Sequence, residues 1–278
     1  MRRLGFLFLL LPFFLSAEEM VIDLQELGKI VYHFEDGLCE KIVRLAPSGQ
    51  VKYEHLYNYD QDGKFISESL IGHLGNIHYS GSMEEGFITA HTPFGDESWL
   101  KEDRGTFEMV NIEKSYDEAG HLTQKGADHF FYVNDQLIRV DTDQYRVYFA
   151  YDEEGRRIAK KTISEHGEED EYYLYWGKNE IGSVSEDGKL NWLRIPGMTN
   201  HPNLVRAIAV ETEDAVYAPI YDARWNIVKL VNIEDRTIIE IRPDAFGQNL
   251  KELKGCPWIF CSKRFDRETG LVDFGFRR

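Results

Sequence analysis

The stretch Tyr145-Arg146-Val147-Tyr148-Phe149-Ala150-Tyr151-Asp152-Glu153-Glu154-Gly155-Arg156-Arg157-Ile158 decides the fold. Tyr145, Val147, Phe149 and Tyr151 fall at every second position, so an extended chain presents them on one face. The alternation stops at Asp152. An aspartate accepts hydrogen bonds from backbone amides two residues on, and a glycine takes the positive φ that a side chain resists. Residues 152–155 therefore read as a turn, after which an apolar residue restarts a strand.

The same template, Tyr-Asp-x-x-Gly-x-apolar, occurs at Tyr59-Asp60-Gln61-Asp62-Gly63-Lys64-Phe65 and at Tyr116-Asp117-Glu118-Ala119-Gly120-His121-Leu122. Degenerate copies stand at Tyr132-Val133-Asn134-Asp135-Gln136-Leu137-Ile138, at Tyr221-Asp222-Ala223-Arg224-Trp225-Asn226-Ile227 and at Asp244-Ala245-Phe246-Gly247. Tyr116 and Tyr132 are 16 residues apart, and Tyr132 and Tyr151 are 19, which is one hairpin per unit. Between turns, Phe130-Phe131-Tyr132-Val133, Tyr172-Tyr173-Leu174-Tyr175-Trp176 and Thr237-Ile238-Ile239-Glu240-Ile241 read as strands. A lone hairpin is marginal in water, so the units need one another, and the expectation is an all-β protein of consecutive hairpins in one curved sheet. Phe34-Glu35-Asp36-Gly37-Leu38 reads as a further hairpin, whereas residues 67–110, with Gly72, Gly75, Gly81, Gly86, Gly95 and Gly105, read as longer loops.

Composition agrees. Fifteen Tyr, seventeen Phe and five Trp against eight Pro suit pleated, half-buried surfaces, and 278 residues suffice for a sizeable core. The N-terminus reads as an export signal: Arg2 and Arg3 precede an apolar run from Leu4 to Leu15, and Ser16-Ala17 ends it with small residues. Such a run is shorter than the roughly 20 residues that span a bilayer, so residues 1–17 are expected to be cleaved and to meet the membrane only during export. Loss of Arg2 and Arg3 takes the net charge from −16 to −18. That excess of carboxylates repels phosphate backbones, which excludes nucleic acid as a partner.

Candidate chemistry is sparse. Glu168-Glu169-Asp170-Glu171 reads as a solvated hairpin tip. Cys39, Cys256 and Cys261 are odd in number. A bridge between Cys256 and Cys261 is open in an exported protein, but spacing does not fix connectivity, and buried or incidentally paired thiols are expected. No zinc spacing occurs, and His55, His73, His78 and His91 read as scattered surface residues. Asp141-Thr142-Asp143 opens like a calcium loop but meets Arg146 at the sixth position where glycine is needed. No Gly-x-Ser-x-Gly elbow, Walker loop or dinucleotide fingerprint is present, so neither a catalytic set nor a cofactor or metal is expected.

The last segment, Pro257-Trp258-Ile259-Phe260-Cys261-Ser262-Lys263-Arg264-Phe265-Asp266-Arg267-Glu268-Thr269-Gly270-Leu271-Val272-Asp273-Phe274-Gly275, resembles the terminal signature of the Rhs/YD-repeat core, a family that includes the teneurin shell. Tyr175-Trp176-Gly177-Lys178-Asn179-Glu180-Ile181-Gly182-Ser183, Leu193-Arg194-Ile195-Pro196-Gly197 and residues 216–228 are similar to its preceding blocks, in the family's order. Departures are Trp225 where glycine is usual, Pro243 in Arg242-Pro243-Asp244-Ala245-Phe246-Gly247 where tyrosine is usual, and Asp273 where an aromatic residue is common. The resemblance covers roughly residues 50–278. It implies a β-ribbon spiralled into a shell, which in bacterial members encloses a toxic polypeptide. The family's aspartate-dependent self-cleavage site lies beyond the matched segment, and that activity is not carried over.

The organisation expected is residues 1–17 as signal, 18–110 as a β-rich region of degenerate repeats, and 111–278 as the repeat core, forming a partial or small open shell. The repeat residues singled out are Tyr59, Asp60, Gly63, Tyr116, Asp117, Gly120, Tyr151, Asp152, Gly155, Tyr221 and Asp222. The function expected is non-enzymatic: interaction with another polypeptide or a cell-surface ligand, by a product secreted or held in the cell envelope. The alternatives are a shell piece that encloses a separately encoded cargo, or the remnant of a longer gene.

Overall fold

A computed structural model describes residues 18–63, 65–72, 75–79, 87–92, 95–100, 113–197, 206–222, 224–241, 243, 250 and 255–274, with backbone alone at 75–79, 87–92 and 95–100. The signal segment, His73, Phe246, Gly247 and Gly275 lie outside the described residues, as do the side chains of His78 and His91.

The strands are β1 (Glu19–Asp23), β2 (Lys29–Glu35), β3 (Leu38–Leu45), β4 (Val51–Tyr59), β5 (Phe65–Gly72), β6 (Gly75–Tyr79), β7 (Phe87–Thr92), β8 (Gly95–Leu100), β9 (Lys114–Tyr116), β10 (Leu122–Lys125), β11 (Asp128–Val133) and β12 (Gln136–Asp141). They continue as β13 (Arg146–Tyr151), β14 (Arg157–Ser164), β15 (Gly167–Trp176), β16 (Asn179–Ser185), β17 (Leu190–Pro196), β18 (Ala207–Glu211), β19 (Val216–Tyr221), β20 (Ile227–Asn232), β21 (Ile238–Glu240), β22 (Arg264–Asp266) and β23 (Leu271–Asp273). Each pairs antiparallel with its neighbour in sequence: β1 to β6 form a six-stranded sheet, β9 to β21 a thirteen-stranded one, and β7–β8 and β22–β23 are hairpins. Among the described residues the fold is therefore all-β and open, a meander that closes into no barrel.

Residues 67–110 are not loops throughout; β5 to β8 run through them. Gly72 misled because a glycine inside a strand serves close approach as well as turning. A Cβ there would stand 2.5 Å from the Ile233 Cδ1 atom, so the residue lets the long sheet press against the short one.

That contact belongs to the main core. Met20, Ile22, Ile30, Tyr32, Ile42 and Leu70 of the short sheet pack on Ile181, Leu193, Ile195, Ile208, Ala218 and Val231 of the long one. Complete burial of each such aliphatic side chain contributes about 1.5–3 kcal/mol. Charged groups register the two sheets. Arg44 Nε donates to Glu211 at 3.0 Å, and both side chains are buried. Tyr53 donates to the same carboxylate at 3.0 Å. Tyr32 donates to the Pro196 carbonyl at 2.8 Å. His55, expected at the surface, is fully buried: its Nε2 lies 2.9 Å from Glu68, which also pairs with Arg206, the residue before β18 of the long sheet. Burial would raise the Glu68 carboxyl, yet the adjacent Arg206 and then His55 hold it below its ordinary value.

Candidate functional site

The repeat template works as a lock between neighbouring units. Asp152 accepts from the amides of Glu154 at 3.0 Å and Arg156 at 2.8 Å, and the Gly155 amide returns to the Asp152 carbonyl at 3.0 Å. Asp60 accepts from Asp62, Asp117 from His121, and Asp222 from Arg224 and Asn226. Gly63, Gly120 and Gly155 have φ of 75°, 86° and 76°. At the fourth turn Trp225 holds that conformation, φ 63°, with a side chain in place.

Each template turn leaves one extra residue in the strand that follows. The β13–β14 register passes from Ala150↔Ala159 to Tyr151↔Arg157, so Ile158 bulges. Bulges also place Leu137 opposite Tyr132, Cys39 opposite Phe34 and Ala207 opposite Pro196. The carbonyl beside each of these bulges accepts a tyrosine hydroxyl from the next strand along. Tyr59 donates to Cys39 at 2.8 Å, Tyr151 to Leu137 at 2.7 Å, Tyr175 to Arg157 at 3.0 Å and Tyr221 to Ala207 at 3.2 Å. Arg194 takes this part at the bulge of β16, its Nε donating to the Glu180 carbonyl at 2.8 Å. Tyr116 has the same place at the end of β9 but, among the described residues, no strand on the side away from β10, and it is 59% exposed.

The terminal signature forms a strap, residues 255–274, across the face of the long sheet opposite the short sheet. Trp258, Ile259 and Phe265 pack on Val210, Ile227, Leu230 and Ile241, while Leu271 reaches the cluster of Phe130, Leu137, Val140, Val147 and Phe149. The amide of Phe265 donates to Pro257 at 2.7 Å and that of Lys263 to Phe260 at 2.8 Å, and Ser262 Oγ donates to the Trp225 carbonyl at 3.1 Å. Thr269 and Gly270 turn β22 into β23, with the Gly270 amide on the Asp266 carbonyl at 2.8 Å. Phe274 is exposed.

Ions hold the strap down. Arg264, buried, donates to Glu180 at 3.0 Å and Glu171 at 3.1 Å, and Trp258 Nε1 donates to Glu180 at 3.1 Å. Arg157 pairs with Asp266 and, at 2.8 Å, with Asp273. Lys160 reaches Glu171 at 2.9 Å and Glu268 at 3.1 Å. Burial alone would raise the Glu171 carboxyl, but Arg264 and then Lys160 outweigh it and hold the group well below its ordinary value. Burial likewise pushes the Cys256 thiol up to about 12. Cys39, Cys256 and Cys261 are all free, so the bridge left open by the sequence is not made.

Lys160, Arg157 and Arg194 were not singled out in the sequence. Their signal was there: each is a cation inside a segment that reads as a strand, and a cation on a buried strand face demands partners. Glu171 belongs to the acidic run read as a solvated tip, but only Glu168 and Glu169 of that run are exposed; Glu171 turns inward to the strap.

Beside the strap, at the end of the sheet where β15 begins and the β16–β17 and β18–β19 turns lie, runs an open groove of about 970 Å³. Trp192, Leu190 and Phe265 contribute apolar lining, and Glu169, Asp170, Glu186, Glu213 and Asp214 contribute carboxylates. Among the described residues no group of three His, Cys, Asp or Glu side chains converges to hold a metal ion.

No family model matches the chain. No curated protein matches it. It is similar to a chain of a solved structure described as TcdB2-TccC3-Cdc42, at 13% identity and a TM-score of 0.42, over 90% of this chain and 16% of that one. A second, TcdB2-TccC3 without its hypervariable C-terminal region, is similar at 11% identity and a TM-score of 0.29, over 93% of this chain and 21% of that one. The chain thus spans about a fifth or less of the length of either.

Proposed function

We propose that this chain is a non-enzymatic, exported protein of the Rhs/YD-repeat kind that captures another polypeptide by accepting one of its strands beside β9. The observation that carries this reading is Tyr116. Tyr59 and Tyr151, the other intact template tyrosines, and Tyr221 of a degenerate copy spend their hydroxyls on a bulge carbonyl of the strand before, and Tyr116 lacks that strand among the described residues. An edge strand carries unpaired amides and carbonyls, so a partner strand gains main-chain hydrogen bonds there, and a bulged one gains the tyrosine as well.

The probe is a synthetic hairpin with the sequence of residues 128–141, which ends in the bulged strand that Tyr151 caps. It is expected to bind the full chain, and Lys114→Pro, which removes an amide that points away from β10, is expected to abolish binding. A monodisperse monomer by light scattering, indifferent to this hairpin and to exported polypeptides of the same cell, overturns the capture mechanism. Turnover in a glycan and peptide hydrolysis screen overturns the non-enzymatic assignment. Sequencing the mature N-terminus tests export: it is expected to begin at Glu18.

A further inference from the structure

The groove beside the strap lies at the side of the long sheet, on hairpin turns rather than on the β9 edge. Its charges are unevenly spent. Glu168 is paired with Lys161, Asp187 with Lys189, and Glu171 and Glu268 with Lys160. Glu169, Asp170, Glu186, Glu213 and Asp214 have no cation within ion-pairing distance among the described residues, although all five border one cavity. Of the lining cations, Lys160 is engaged by Glu171 and Glu268, Arg264 by Glu171 and Glu180, and Arg267 is exposed at the rim, so carboxylates still outnumber cations in the lining.

A second observation is independent of those charges. Thr162, on β14, is 7% exposed and lines the groove, yet its hydroxyl makes no hydrogen bond among the described residues. Buried polar side chains are nearly always bonded, so an unspent one facing a cavity marks a place for a ligand atom. Trp192 Nε1 and the Asn191 amide, also in the lining, make no hydrogen bond among the described residues either. These donors suit the carbonyls of an extended backbone. The indole face suits a guanidinium, which stacks on aromatic rings and is weakly hydrated.

We infer that the groove binds an extended, arginine-rich segment of a partner polypeptide. The guanidinium groups meet Glu169, Asp170, Glu213 and Asp214, one of them lies over Trp192, and the backbone carbonyls accept from Thr162 and Asn191. This goes beyond strand capture at β9 and uses none of its residues. A free cation would satisfy the carboxylates but leave the indole and hydroxyl unused.

The experiment titrates the full chain with a synthetic peptide of alternating arginine and glycine and with the same peptide carrying neutral citrulline for arginine. Binding of the arginine peptide is expected, weakening as salt is raised, with the citrulline peptide at least tenfold weaker. The variant Glu169→Gln/Asp170→Asn/Glu213→Gln/Asp214→Asn changes exposed or half-exposed groups, and roughly tenfold weaker binding is expected from losing several modest pairs together. Trp192→Leu is expected to weaken binding of the arginine peptide. Lys114→Pro separates the two surfaces: arginine-peptide affinity is expected to survive it. Equal affinity for both peptides, full affinity in the quadruple variant, or loss of peptide binding in Lys114→Pro overturns the groove assignment, and the last of these assigns the peptide to the β9 edge.

Discussion

At the scale of single residues, the tyrosine of the repeat is a hydrogen-bonding part as much as a packing one. Tyr151→Phe leaves the Leu137 carbonyl without its partner beside a bulge and is expected to lower stability by about 1–3 kcal/mol. Tyr116→Phe, with nothing to release, is expected to cost almost nothing. Urea unfolding of the two variants checks the contrast, and equal losses would mean that the rings alone matter. Trp225 supplies a second test. It holds φ at 63° with a side chain attached, half-buried beside Tyr221. Trp225→Ala loses the ring and keeps the backbone penalty, whereas Trp225→Gly loses both. The glycine variant is therefore expected to be the more stable by about 1 kcal/mol, the reverse of the usual order inside a sheet protein.

At the scale of elements, the strap is fastened by ions whose removal is asymmetric. Arg264→Ala leaves Glu171 and Glu180 facing each other in a buried space, and a loss of about 3–5 kcal/mol is expected by chemical denaturation. Acid acts on the same fastening. The Glu171 carboxyl is held below its ordinary value of 4.5, so its stabilising contribution is complete above that pH and drains away as pH falls below it toward the folded value. Stability measured from pH 7 downward is expected to stay level to about pH 5 and then decline, and Glu171→Gln is expected to flatten that decline while lowering stability at neutral pH. A decline of unchanged steepness in Glu171→Gln would place the acid sensitivity elsewhere, with Glu68 the next candidate.

For the molecule as a whole, what was legible in the sequence is what repeats. The alternation around Val147 and Phe149, the Asp-Gly turns and the hairpin at Asp36-Gly37 are local, and β2 does end at Glu35 with β3 starting at Leu38. Face-to-face packing of the short sheet on β16 to β20 is not local. It depends on Arg44 finding Glu211, 167 residues away, and on His55 being drawn inside by Glu68 and Arg206. No spacing announces such partners. The same holds for the groove, whose carboxylates come from three separate turns. Because the two sheets share one core, Glu211→Ala, which strips Arg44, Lys52 and Tyr53 of a common acceptor, is expected to cost about 3–5 kcal/mol without splitting thermal unfolding into two transitions. Two resolved transitions in calorimetry would show the sheets to be separable.

The pairing of a tyrosine with the bulge of the preceding hairpin gives the wall a direction. Where the pairing is present, a link carries a key at its trailing end and a keyhole for the next, so a gene can lengthen this protein by copying a whole link, which arrives already fitted on both sides. Copying or deleting a single strand would instead turn the keys to the wrong face, and such lengths should be rare among the chain's descendants.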